Sequence, residues 1–90
     1  MKRRECWQAV LDAEVAKWSA KSYDQLRAQL AELKVYEVEF DSVVHQVEVE
    51  LLRNAGDYLQ VLISVDDGTL PASLRPATAA FICRANQSTS

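Results

Sequence analysis

The sequence predicts an α+β two-layer sandwich. Two N-terminal helices pack on one face of a three- to four-stranded antiparallel β-meander, in the order α-α-β-β-β-β. Apolar residues first recur at three- and four-residue spacing, as on one side of a helix, and from Val35 onward the period changes to two. When the period-two segments are paired as hairpins, their apolar residues fall on one common face. In this class of fold, the apolar side of each helix packs on the apolar face of the sheet.

Two helices are predicted rather than one long helix. The first covers residues 2–20. At about 100° per residue, a continuous helix would turn the second apolar set about 100° away from the first. A break removes that conflict, and Ser22 with Gln25 three residues later is a capping-box start for a second helix over residues 23–33. The two stripes are Trp7, Val10, Leu11, Val15 and Trp18, and then Tyr23, Leu26, Leu30 and Leu33.

Three strands follow, over residues 35–40, 43–53 and 58–66. Each alternates apolar and polar residues, which is typical of a strand with one buried face. The predicted inward-facing residues are Tyr36, Val38 and Phe40; Val43, His45, Val47, Val49 and Leu51; and Leu59, Val61, Ile63 and Val65.

The two connections predict the pairing of these strands. A two-residue turn at Asp41-Ser42 sets Phe40 opposite Val43, Val38 opposite His45 and Tyr36 opposite Val47. A turn over residues 53–57 sets Leu51 opposite Leu59, Val49 opposite Val61, Val47 opposite Ile63 and His45 opposite Val65. Both registers keep the apolar sets on one face and place no glutamate directly opposite another.

The C-terminal third is less regular. Residues 66–77 are predicted to form a loop, with one helical turn beginning at Pro71. A fourth strand is predicted over residues 78–84. Its two faces, Phe81 and Cys83 against Ala80 and Ile82, are almost equally apolar, which is typical of a strand covered on both sides. The chain is therefore divided into one domain, residues 1–85, and a polar tail, residues 86–90.

Composition and charge argue against several classes of function. The formal charge of −3 lacks the concentrated basic surface that nucleic-acid binding needs, and Lys2-Arg3-Arg4 is interpreted as a solvated helix start. No apolar run approaches the roughly 18–20 residues of a membrane span, so a cytoplasmic protein without membrane contact is expected. Cys6 and Cys83 have no metal-ligand spacing and are expected as free thiols, the alternative being a bridge between the two ends.

No catalytic motif is complete. Asp66-Asp67-Gly68-Thr69 superficially matches the DxDGT nucleophile loop of haloacid-dehalogenase-type phosphatases, but Val65 stands where the nucleophilic aspartate is needed. We interpret this segment as a turn that ends a strand. Phosphate-loop, metalloprotease and nucleophile-elbow motifs do not occur either. The sequence therefore predicts no catalytic residue, no metal ligand and no cofactor.

One polar set is a candidate ligand site. Glu14 falls within the first helical stripe, and His45 falls within the inward face of the second strand. Buried polar groups need partners, so a contact between them is predicted, with the Tyr36 hydroxyl nearby. Glu14, His45 and Tyr36 would then line a pocket for a small ligand or a reaction. The structural alternative is that Glu14 reaches water and His45 bonds a backbone carbonyl.

The other face of the sheet is predicted to be a protein interface. Acidic and apolar residues are mixed there, and the first strand presents an open edge that can accept another strand. The leading hypothesis is a non-catalytic domain that binds a second copy of itself or another protein. Its predicted interface residues are Val35, Glu37, Glu39, Val44, Glu48, Glu50, Leu52, Tyr58 and Leu62.

Overall fold

The computed structural model describes residues 3–68 and 76–85. They form helices α1 (Arg3–Ser19) and α2 (Tyr23–Gln29) and strands β1 (Lys34–Phe40), β2 (Val43–Asn54), β3 (Tyr58–Asp66) and β4 (Ala77–Arg84). The strands make one antiparallel sheet in the order β1-β2-β3-β4, with the helices packed on one face, which confirms the predicted α+β arrangement. The predicted helical turn at Pro71 and the polar tail 86–90 lie outside the described residues.

The helix α1 supplies much of the core. Trp7 and Leu11 are 1% and 2% exposed, and with Val10 and Trp18 they form the buried stripe that the spacing predicts. The helix packs mainly on β3 and β4 and less on β1. The four inward residues of β3 are consequently sealed from solvent, whereas those of β1 are only half-buried.

A break separates α1 from α2, as predicted. The Gln25 backbone N–H donates to Ser22 Oγ at 3.2 Å, and the Ser22 N–H donates to Gln25 Oε1 at 2.9 Å, which completes a capping box. The expected extension of this helix to residue 33 is wrong. The helix is capped at Leu30, so Leu33 falls on the connection to β1, where it is 52% exposed instead of joining the buried stripe.

The capping box gives a direct test of the break. Replacing Ser22 with alanine removes the side-chain acceptor for the first turn of α2, a short helix that cannot be stable alone. We expect the free energy of unfolding to fall by about 1 kcal/mol, measured by urea denaturation. Ser42→Ala, in the exposed β1–β2 turn, is a control for losing a serine hydroxyl; an equal or larger loss there would contradict the capping role.

The first hairpin has the predicted register. Phe40 lies opposite Val43, Val38 opposite His45 and Tyr36 opposite Val47. The turn residues Asp41 and Ser42 have φ angles of 54° and 63°. Two consecutive positive φ values define a type I′ turn, which matches the natural twist of a hairpin.

The observed register of the second hairpin differs from the predicted register by two residues. Val47 pairs with Val65, Val49 with Ile63 and Leu51 with Val61, because a bulge lies between Leu51 and Arg53 and the turn is tighter than expected. The extra residue carries Arg53 to the outer side of the sheet, opposite Gln60. A shift of two residues keeps every side chain on its predicted face, so the core composition is unaffected.

Strand β4 forms the second edge of the sheet, and its burial differs from the expectation that both of its sides are covered. Phe81 lies opposite Val61 and Cys83 opposite Leu59, and both side chains are half-buried against the core. Ala80 and Ile82 point the other way and are exposed, so among the residues described here the strand is covered on one side only. Cys6 and Cys83 are both free thiols, the state expected from the sequence.

Candidate functional site

The surface of interest is the outer face of the sheet, the side away from the helices. All nine predicted interface residues lie there, at positions that alternate with the buried ones. Four large aliphatic side chains of this face are about half exposed. They are Val35 at 58%, Val44 at 48%, Leu52 at 50% and Ile82 at 52%.

Charge divides the outer face into two halves. Strands β1 and β2 carry all of its glutamates, which are Glu37, Glu39, Glu48 and Glu50. Strands β3 and β4 carry mostly neutral side chains there, with Leu62 opposite Ala80 and Gln60 opposite Ile82. The outer face therefore has an acidic half on β1 and β2, where Val35, Val44 and Leu52 lie among the glutamates, beside a mostly uncharged half on β3 and β4. We call these the acidic half and the uncharged half.

Ile82 and Arg53 lie on this face but are not among the predicted interface residues. Ile82 was not assigned because the two sides of β4 are nearly equal in hydrophobicity, so period-two reasoning had no contrast to use. Arg53 joins the face only through the bulge, which a sequence of continuous alternation does not reveal. No local signal in the sequence could have placed Arg53.

The candidate ligand site proves to be a hydrogen-bonded cluster between α1 and β1. The Tyr36 hydroxyl donates to Glu14 Oε1 and accepts from Trp18 Nε1 at 2.8 Å. Glu14 is only 7% exposed, so the expectation that it reaches bulk water is wrong. Lys17 Nζ lies 3.8 Å from Glu14 Oε1 and 4.9 Å from the Tyr36 ring centroid. The contact predicted for Glu14 was with His45, and the partner that Glu14 has instead is Tyr36, which was expected only nearby.

His45 is not part of this cluster. Its Nδ1 lies 3.0 Å from the carbonyl oxygen of Val43, which is the backbone bond expected in the structural alternative. The ring is 1% exposed and meets Phe40 edge-on, with centroids 6.3 Å apart. No hydrogen bond joins His45 to Glu14 in the described part of the chain. A ligand-binding role for Glu14, His45 and Tyr36 stays a prediction.

The cluster shifts the titration of Tyr36. Burial raises the pKa of its hydroxyl above the ordinary 10.0, and the hydrogen bond to Glu14 adds to the rise. The hydrogen bond from Trp18 acts in the opposite direction. Because the neutral form is favoured, the hydroxyl remains a donor to the Glu14 carboxylate throughout the neutral range.

This shift predicts a particular alkaline behaviour. The folded chain holds the Tyr36 proton more tightly than the unfolded chain, so the contribution to stability is complete below pH 10.0 and is lost as the pH rises above that value. We expect the free energy of unfolding of the wild type to fall more steeply above this pH than that of Tyr36→Phe. Urea denaturation of both proteins across the alkaline range measures the two slopes, and equal slopes would contradict the shift.

The Asp66 segment forms a local turn, as interpreted from the sequence. The Gly68 N–H donates to Asp66 Oδ1 at 2.7 Å, and Gly68 has a φ of 75°. A Cβ at this glycine would lie 3.3 Å from Gln46 Nε2, so glycine suits both the φ value and the space. The carboxylate of Asp66 is thus used in ending β3.

Membrane-spanning helices and metal-binding clusters are absent from the described residues. Neither helix has the length and apolar character needed to span a bilayer. Within residues 3–68 and 76–85, no three histidine, cysteine, aspartate or glutamate side chains are grouped so that they could hold a metal ion. Comparisons with protein-family models, with curated proteins and with solved structures found no match to this chain.

Proposed function

We propose that this chain is a non-catalytic contact domain that binds protein through the outer face of its sheet. The observation that carries the proposal is the set of half-exposed aliphatic side chains on that face, Val35, Val44, Leu52 and Ile82. Val35 lies opposite Glu48 and Val44 opposite Glu39, so apolar and acidic side chains are interleaved on this face, a mixture that suits a polar protein contact. The Glu14 cluster supports a non-catalytic role, because its hydroxyl, indole and carboxylate bind one another.

The apolar area that such a contact buries determines how much free energy of binding it can contribute. Burying the exposed half of each aliphatic side chain contributes about 1 kcal/mol, or about 4 kcal/mol for the four. Association itself costs about 4–15 kcal/mol of lost translational and rotational freedom. The apolar contact alone therefore gives little net affinity, and a stable complex needs further interactions. The glutamates of the acidic half and the backbone edges of the sheet are the groups that can provide them.

The acidic half also restricts the partner. A protein surface laid over Glu37 and Glu48 must supply basic or neutral side chains, because a second row of carboxylates would repel them. In the free protein these glutamates keep the face hydrated and oppose non-specific association. We expect binding through the acidic half to weaken at high salt.

Photo-crosslinking tests the proposal in the protein's own cells. A photoreactive amino acid is placed at Val44 on the outer face, or at Ala16 on the exposed side of α1 as the control. We expect a discrete protein adduct, with a second copy or another protein, from position 44 and none from position 16. Adducts of equal yield from both positions, or none from position 44, would contradict the proposal.

A further inference from the structure

Among the described residues no further strand covers either edge of the sheet, and the two edges differ in how they are protected against pairing. Edge strand β1 carries Lys34, Glu37 and Glu39 along its seven residues. Edge strand β4 carries one charge, Arg84 at its last position, and no proline, and its pairing with β3 runs without a bulge. Proteins normally guard exposed edges with charges, proline or bulges. In β4 only Arg84, at the last position, provides such protection, so the rest of this edge is suited to pairing.

The ladder shows which backbone groups β4 offers. The Ala85 N–H donates to the Asp57 carbonyl at 2.8 Å, in register with the β3–β4 pairs. Bonded pairs recur every second residue in an antiparallel ladder, so Ala77, Ala79, Phe81 and Cys83 direct their backbone groups toward β3. The alternate residues direct their N–H and C=O groups to the open edge. Those residues are Thr78, Ala80, Ile82 and Arg84.

We infer that the β4 edge pairs in antiparallel fashion with β4 of a second copy, a contact separate from the proposed contact of the outer face. With the two-fold axis at Phe81, all four outward residues pair: Ala80 with Ile82 of the second copy, and Thr78 with Arg84 of the second copy. Each Phe81, half-buried in one copy, then lies opposite its equivalent. The two sheets become one continuous sheet, and the two uncharged halves become adjacent.

Charge favours β4 over β1 for this self-pairing. The type I′ turn places Phe40 and Val43 in a bonded pair, so Val35, Glu37 and Glu39 direct their backbone groups outward on β1. The centred register of a β1 pair sets Glu37 directly opposite its own equivalent, which is repulsive. In the β4 pair, the only charged residue lies opposite a threonine. The β4 edge is thus complementary to itself, whereas the β1 edge is not.

The size of the contact sets the expected strength. One strand of eight residues makes an interface at the small end of the range for protein complexes, where association is typically weak. We therefore expect a dimer that dissociates on dilution through the micromolar range. A closed pair is also expected rather than a polymer, because each copy uses its β4 edge once.

Sedimentation equilibrium of the purified chain tests the inference. The weight-average mass of the wild type is expected to rise with concentration to twice that of the monomer. Ala80→Pro removes one outward N–H without removing a bond to β3, and a proline is tolerated at such an edge position. We expect this variant to remain monomeric. Glu37→Pro, the matched change at an outward position of β1, is expected to dimerise as the wild type does.

A second variant keeps the backbone intact. Ala80→Lys with Ile82→Lys places lysine opposite lysine in the proposed register, and we expect the dissociation constant to rise about tenfold or more. Circular dichroism checks that each variant folds. A monomeric wild type, dimerisation of the two-lysine variant with unchanged affinity, or loss of association in Glu37→Pro would each overturn β4 pairing. Crosslinking from Val44 reports on the outer face separately, so the proposed function and this inference can fail independently.

Discussion

Replacing Val49 with asparagine is expected to remove most of the free energy of unfolding. Val49 is 0% exposed and lies between β1 and β3, opposite Lys34 and Ile63. The change loses about 2 kcal/mol of apolar burial and adds a buried amide, which costs about 1–3 kcal/mol when it finds no partner. A small domain has a free energy of unfolding toward the lower end of about 5–15 kcal/mol, so this loss is most of it. Circular dichroism and urea denaturation measure the result.

The same change on the other face of β2 is the control. Val44 is 48% exposed on the outer face, and Val44→Asn is expected to cost about 1 kcal/mol or less, through the lower strand propensity of asparagine. Equal losses from Val44→Asn and Val49→Asn would mean that both faces are buried. That outcome would contradict the arrangement of helices and sheet.

Removing the Tyr36 hydroxyl is expected to have the second largest effect. In Tyr36→Phe the buried Glu14 carboxylate loses its donor and the Trp18 indole N–H loses its acceptor. Leaving such groups without partners costs about 2–3 kcal/mol, although Lys17, 3.8 Å from Glu14, offsets part of the loss for the carboxylate. The free energy of unfolding from urea denaturation at neutral pH measures the effect.

Tyr23 supplies the matched control for that change. Its hydroxyl donates to the Gly56 carbonyl oxygen at 2.9 Å, in an exposed position between α2 and the second turn. Water can replace this partner, so Tyr23→Phe is expected to cost about 0.5–1 kcal/mol. If the two variants lose the same stability, the Glu14 cluster does not contribute as a buried network.

The face of each residue could be predicted from the sequence because it depends only on local period. Alternation assigned Val47 and Val61 to the inward face, and a two-residue turn then left one register for the first hairpin. The helix break was predictable as well, since the two stripes conflict and Ser22 with Gln25 is a local capping pattern.

The register of the second hairpin could not be predicted from alternation, because a shift of two residues leaves every side chain on the same face. The bulge beside Leu52 and the tight turn near Gly56 decide that register, and both depend on how the whole sheet twists. Leu33 was misplaced for a similar reason. It continues the helical spacing, but the chain must leave the helix at Leu30 to enter β1.

The candidate sites were predictable to different degrees. The need of Glu14 for a buried partner was predictable, and Tyr36 was expected near it, but the bond from Trp18 Nε1 to Tyr36 was not predicted. The environment of His45 could not, because its bond to Val43 depends on a side-chain rotamer. The outer face was recognisable from β1, β2 and β3, while its extension through Ile82 required the position of β4.

Solvent access to individual methyl groups distinguishes the helix-covered face of the sheet from the exposed face. In a dilute sample with labelled valine, leucine and isoleucine methyls, a soluble paramagnetic agent relaxes the nuclei that it can approach. We expect strong relaxation for Val35, Val44, Leu52 and Ile82, weak relaxation for Val47, Val61 and Ile63, and protection of Ile82 as the concentration rises. Strong relaxation of Val47 and Val61, or shielding of the outer-face methyls in the dilute monomer, would contradict the account.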